Sequence, residues 1–109
     1  MAECVFCKIV SKQQSAQIEY EDDDVIAFRD IYPKAPIHIL IIPKRHIESV
    51  MALSDEDASL VGRLVLVAKR LGELKGVADR GYRLQLHCGP DGGQVVYHLH
   101  LHFLAGKRG

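Results

Sequence analysis

Short strand-like runs joined by polar turns, with one long helical pattern set among them, predict an α+β fold around an antiparallel sheet. Five apolar or β-branched runs carry the strands: Gln17–Tyr20, Val25–Asp30, Ile37–Ile42, Tyr82–His87 and Val95–Leu104. Between the third and fourth, Ala58, Val61, Leu64, Val65, Ala68 and Leu71 recur at spacings of three and four, marking one face of a helix. The 109 residues support one domain, residues 1–109, with a single modest core.

Taken in order, Cys4–Val10 reads as a short helix. The acidic run Glu19-Tyr20-Glu21-Asp22-Asp23-Asp24 reads as the solvated turn of a hairpin joining the first two strands. Ile31–Pro36 contains two prolines, which excludes helix and central strand. Ile37–Ile42 is almost wholly apolar and closes at Pro43, the pattern of a strand covered on both faces. Ser54 followed by Asp57 resembles a capping box with a shorter acid, opening a helix from about Asp55 to about Lys75, with Gly76 as its stop. Cys88–Gly93 is the loop between the last two strands.

Composition excludes several classes. Fourteen basic against fourteen acidic residues give no basic excess, which disfavours a nucleic-acid backbone binder. Ala35–Pro43, nine uncharged residues, falls far below the ~20 needed to span a bilayer. The start Met1-Ala2-Glu3-Cys4 has neither a basic nor an apolar leader segment, and three cysteines do not suggest a disulfide framework. A reducing, cytoplasmic setting is the expectation.

Six histidines are many for this length, and three lie in Tyr97-His98-Leu99-His100-Leu101-His102-Phe103. Strand alternation places His98, His100 and His102 on one face, with Leu99, Leu101 and Phe103 turned to the core. Such a row suits either a metal held by imidazoles or an anionic substrate attacked by one neutral imidazole while its neighbours donate hydrogen bonds. Just upstream, Gly89-Pro90-Asp91-Gly92-Gly93-Gln94 favours the anion, because glycines let backbone N–H groups approach a phosphate. Cys4-x-x-Cys7 has three readings: a redox pair, two ordinary helix cysteines, or half of a zinc site that nothing local completes.

His98-Leu99-His100-Leu101-His102-Phe103-Leu104 resembles the signature of the histidine triad family, alternating histidine and apolar residues, at all seven positions. The lead-in Gly92-Gly93-Gln94-Val95-Val96-Tyr97 is similar to that of the Hint branch, the nucleoside phosphoramidate hydrolases. Ala27-Phe28-Arg29-Asp30-Ile31, Ala35-Pro36-Ile37-His38 and Ile42-Pro43-Lys44-Arg45-His46 match in the same order. The resemblance implies a five-stranded antiparallel sheet with two helices, extended across a homodimer. It implies attack of His100 on the α-phosphorus of a purine nucleotide, giving a nucleotidyl-histidine that water cleaves. His102 and the Gly93-Gln94 backbone would stabilise the phosphoryl oxygens, Asp30 would bind the ribose, Phe28 and Ile31 would line the base pocket, and His38 would orient the triad.

The same resemblance implies a structural zinc on Cys4, Cys7, His46 and His98, whose four protein ligands leave no open position. Departures fall at His87, in place of an asparagine that holds the nucleotide, and at Val95, in place of a phosphate-contacting serine. Gln14-Ser15 replaces Ile-Pro beside the base, and the closing tail of many relatives is missing after Gly106-Lys107-Arg108-Gly109. A phosphoramidase is the leading expectation. The alternatives are a dinucleoside polyphosphate hydrolase, a hydrolase with catalytic zinc on the three triad histidines, and a non-catalytic nucleotide-binding dimer.

Overall fold

The computed structural model describes residues 4–106. In chain order the elements are α1 (Val5–Val10), β1 (Ile18–Glu21), β2 (Val25–Arg29), β3 (Ile37–Pro43), α2 (Ala58–Leu74), β4 (Tyr82–Leu86) and β5 (Leu101–Ala105). The five strands form one antiparallel sheet in the order β1-β2-β3-β5-β4. The acidic hairpin turn forms because the Asp22 carboxylate accepts from the N–H groups of Asp24 and Val25, both at 2.8 Å.

Strand alternation divides the apolar residues of β3 between two cores. Ile39 and Ile41 join Val25, Ala27, Leu101 and Phe103 beneath α2. Leu40 and Ile42 join Ile26 and Phe28 beneath Phe6 and Ile9 of α1. This double burial is what an unbroken apolar strand requires. The site lies on the α1 face, where the small helix leaves part of the sheet uncovered.

Two expectations need correcting. The last strand begins at Leu101 rather than Val95, because its ladder with β3 runs from Ile37↔Ala105 to Ile41↔Leu101 and stops there. The next alternate rung would face Pro43, which has no N–H to donate. The chain turns away instead, and the Leu99 N–H donates to the Ile47 carbonyl at 2.6 Å. The second correction concerns α2. Its buried stripe is Leu64, Val67, Ala68, Leu71 and Gly72, while Val65 is exposed. Both stripes have helical spacing, and the sheet takes the one whose C-terminal end carries a glycine. The helix also opens with a 3₁₀ turn, Asp55–Asp57, in which the Ser54 N–H donates to the Asp57 carboxylate at 2.9 Å. Gly76 ends the helix with a positive φ of 70°.

Gly72 is where the helix comes closest to the sheet. A Cβ there would lie 2.4 Å from Cε2 of Tyr82, whose ring stacks on Phe103 at 4.6 Å. In an open helix interior Gly→Ala gains up to ~1 kcal/mol. Here Gly72→Ala should instead destabilise by ~1–3 kcal/mol in urea unfolding, because the ring has to move. A gain in stability would show that Tyr82 has room to withdraw.

Candidate active site and an adjoining thiol–imidazole cluster

The carbonyls on either side of the chain's departure from the ladder fix the triad. The Pro43 carbonyl lies 2.8 Å from His98 Nε2, so that nitrogen carries the proton and donates. The Nδ1 lone pair of His98 then points at Cys4 Sγ, 3.4 Å away, and Cys7 Sγ, 3.6 Å away. The His98 carbonyl lies 2.7 Å from His100 Nδ1, which therefore carries the proton of that ring. His100 Nε2 is left as a lone pair on the open side.

The third triad member is set from the opposite direction. The Lys34 N–H donates to His38 Nδ1 at 3.0 Å, so the proton of His38 resides on Nε2. That nitrogen lies 2.9 Å from His102 Nδ1 and donates to it. His102 Nε2 consequently bears a proton, and it is buried with no hydrogen-bond partner among the described residues. An unpaired buried donor costs ~1–3 kcal/mol, so this N–H is an open position for an acceptor. The Asp30 carboxylate approaches His38 Nε2 at 3.5 Å and also accepts from the Tyr32 N–H at 2.8 Å.

Burial is the main reason these rings stay neutral. It lowers His38 and His100 below the ordinary histidine value and takes His98 down to about 4. His102 falls to about 3, through burial first and then through the neighbouring His100 and His87. A neutral His100 is the nucleophilic form.

His100 and His102 open into a cavity of about 430 Å³. Phe28, Asp30 and Ile31 form its wall on the β2 side, with Gln14 and Ser15 at the edge. His87 and Gly93 line the β4 side together with Val95, which is exposed. The His87 ring lies 4.5 Å from that of His102, tilted by 32°. Gln94 departs from expectation. Its side chain is buried outside the cavity, accepting from the Gly89 N–H at 2.9 Å and donating to the carbonyls of Glu48 (2.7 Å) and Val96 (3.1 Å). The Gly93 and Gln94 N–H groups close the turn onto the Pro90 and Gly89 carbonyls, so neither is free for a ligand.

Sequence reasoning missed Phe6, whose ring meets His100 edge-on at 5.1 Å and 90°. Its position between the two cysteines of a short helix was the available signal. It also missed the Lys34 N–H and the Pro43 carbonyl, which carry no side-chain signature.

Cys4, Cys7, His46 and His98 bring four ligand atoms within 4.8 Å of one another. The sulfur-to-nitrogen separations of 3.2–3.6 Å bracket the ~3.5 Å edge expected of a tetrahedral zinc site. Asp30, His38 and His102 are as compact, yet differ chemically. The Lys34 N–H obliges His38 Nε2 to keep its proton, so this group is a hydrogen-bonded chain rather than a ligand set. The three triad rings do not converge, since His98 turns toward the thiols, and a catalytic zinc on all three is contradicted.

Residues 3–108 match the family described as "Scavenger mRNA decapping enzyme C-term binding". An uncharacterised HIT-like protein of Synechococcus elongatus is 45% identical over 103 residues, 94% of this chain and 90% of its own. A HIT family hydrolase from Legionella pneumophila superposes with a TM-score of 0.95 at 43% identity, covering 97% of this chain and 95% of the other. The chain belongs to the histidine triad family. Among other histidine triad relatives, the purine nucleoside phosphoramidase of Escherichia coli K12 is 46% identical over 105 residues, 96% of this chain and 88% of its own.

The neutral triad makes stability depend on pH. In the folded state His102 titrates near 3 and in the unfolded chain near 6.5, so acid loads the unfolded state with protons first. This contribution is fully present above pH 6.5 and is lost as the pH falls toward 3. Unfolding free energies from urea titrations down the acid limb should therefore decline less steeply in His102→Gln, by up to ~1.4 kcal/mol per pH unit. Identical slopes would mean that His102 is not held neutral by the fold.

Proposed function

We propose that this histidine triad hydrolase cleaves the P–N bond of purine nucleoside 5′-phosphoramidates through a nucleotidyl intermediate on His100. The observation that carries this reading is the 2.7 Å contact from His100 Nδ1 to the His98 carbonyl, which leaves Nε2 unprotonated at the cavity. Covalent attack splits the displacement into two easier steps. The His102 Nε2–H donates to a non-bridging phosphoryl oxygen, where charge grows as the bond forms. The Val95 N–H, which bonds to no described residue, offers a second donor in place of those used by the turn. Asp30 accepts from the ribose hydroxyls, while Phe28 and Ile31 flank the purine.

Two further parts belong to this reading. The outer strand β4 exposes its edge, with Leu84 and Leu86 part-exposed on it, and a second copy pairing there would continue the sheet across a homodimer. Zinc on Cys4, Cys7, His46 and His98 would be structural, supplying a closed four-coordinate tie between α1 and the triad segment. His98 would then be anchored at both nitrogens, and its carbonyl holds the nucleophile. A thiolate site of this kind needs reduced cysteines, which suits the cytoplasm.

His100→Ala should fold normally and lose at least ~10³-fold in kcat on adenosine phosphoramidate. Wild type quenched in base should carry one adenylyl group on the triad peptide by mass spectrometry, and wild-type-like turnover by the variant would overturn the mechanism. Purified protein should contain about one zinc per chain. Cys4→Ser and Cys7→Ser should each reduce that content and lower the melting temperature, whereas His100→Ala should keep its metal. A metal-free wild type of unchanged stability would remove zinc from the account.

A further inference from the structure

Breaking a P–N bond leaves electrons on an amine nitrogen, which needs a proton as it departs. His102 cannot provide one, because its neutral ring holds a single proton on Nε2 and giving it up would leave an imidazolate. His38 cannot refill it, since its Nδ1 is occupied by the Lys34 N–H. The His38–His102 pair is a fixed hydrogen-bond donor with no transferable proton.

His87 stands where that proton is needed. The β4–β5 ladder pairs Gln85 with His102 and Leu86 with Leu101 and ends there; His87 follows directly and lines the cavity beside His102. Its ring overlies that of His102 at 4.5 Å and makes no hydrogen bond to any described residue. The nucleoside wall of Phe28, Asp30 and Ile31 lies across β3 from it, beyond the triad. A phosphorus held over His100 and His102 with its nucleoside on that wall turns its other substituent toward β4. The charged and titratable groups facing His87 are His102 of β5, His100 just before that strand, His38 of β3 and, across the cavity, Asp30 and Lys34. Histidine is also the side chain that exchanges a proton most readily near neutral pH.

We infer that His87 is the general acid for the departing amine and then the general base for the hydrolytic water. The inference rests on the phosphoramidase reading. In the first step the His100 Nε2 lone pair forms a bond to phosphorus. The P–N electrons pass to the amine, and the His87 imidazolium gives its proton to that nitrogen. The amine leaves neutral, and so is His87. In the second step neutral His87 takes a proton from water as the water oxygen bonds to phosphorus. The His100–phosphorus bond breaks with its electron pair returning to Nε2, and His87 is again protonated.

The test compares two adenosine 5′-substrates in wild type, His87→Asn and His87→Gln. One substrate releases an alkylamine, which must be protonated; the other releases 4-nitrophenolate, which need not be. The measure is kcat/KM, which reports formation of the adenylyl enzyme and not its hydrolysis. Both variants should lose ~10²–10⁴-fold on the alkylamine substrate and retain most of their rate on the nitrophenyl ester. Unchanged binding of adenosine monophosphate in either variant shows that its cavity is intact. Equal losses on both substrates, or none, would overturn the inference while wild-type turnover keeps the phosphoramidase reading standing. A wild type that cleaves neither substrate would overturn both.

Discussion

A neutral imidazole has one proton and two nitrogens, so fixing either nitrogen decides what the other can do. Two backbone carbonyls impose that choice here. The Pro43 carbonyl holds His98 Nε2, and the His98 carbonyl holds His100 Nδ1. Both are available because the last strand leaves its ladder at a proline that cannot donate, freeing carbonyls and side chains from sheet pairing. The local break in the sheet and the chemistry of the site have one cause.

The same logic separates two clusters that distance alone would treat alike. Around Cys4 and Cys7 the His98 lone pair points inward, toward thiols whose separations suit a tetrahedral metal. Burial pushes the Cys7 thiol up, with the Cys4 side chain adding to it, which favours the neutral thiol over the thiolate. Around Asp30, the Lys34 N–H starts a chain of donors that ends on the unpartnered His102 Nε2. One cluster collects lone pairs and the other delivers an N–H. Between them, His100 presents a lone pair to the cavity, kept neutral mainly by burial.

Much of this was legible in the residues. Apolar β-branched runs between turns gave five strands in the observed sequence order, and alternation correctly buried Leu99, Leu101 and Phe103. The triad motif marks His98, His100 and His102 as one group, and His100 and His102 do open into one cavity. Other parts were hidden for physical reasons. His98 and His100 alternate with leucines like strand residues, yet the ladder with β3 ends at Ile41↔Leu101 and leaves both outside it. The helix offered two apolar stripes of equal spacing, and packing at Gly72 and Tyr82 selected one. Gln94 looked like part of a phosphate loop, yet its partners Glu48 and Val96 tie the loop down instead. Proton positions depend on the Lys34 N–H and the Pro43 carbonyl, backbone atoms that no residue type announces.

The most direct measurement is the tautomeric state of each histidine from side-chain ¹⁵N chemical shifts at neutral pH. The account requires the Nδ1–H form for His100 and the Nε2–H form for His38, His98 and His102. Finding His100 in the Nε2–H form, or doubly protonated, would contradict it, because the nitrogen proposed to attack phosphorus would already carry a proton.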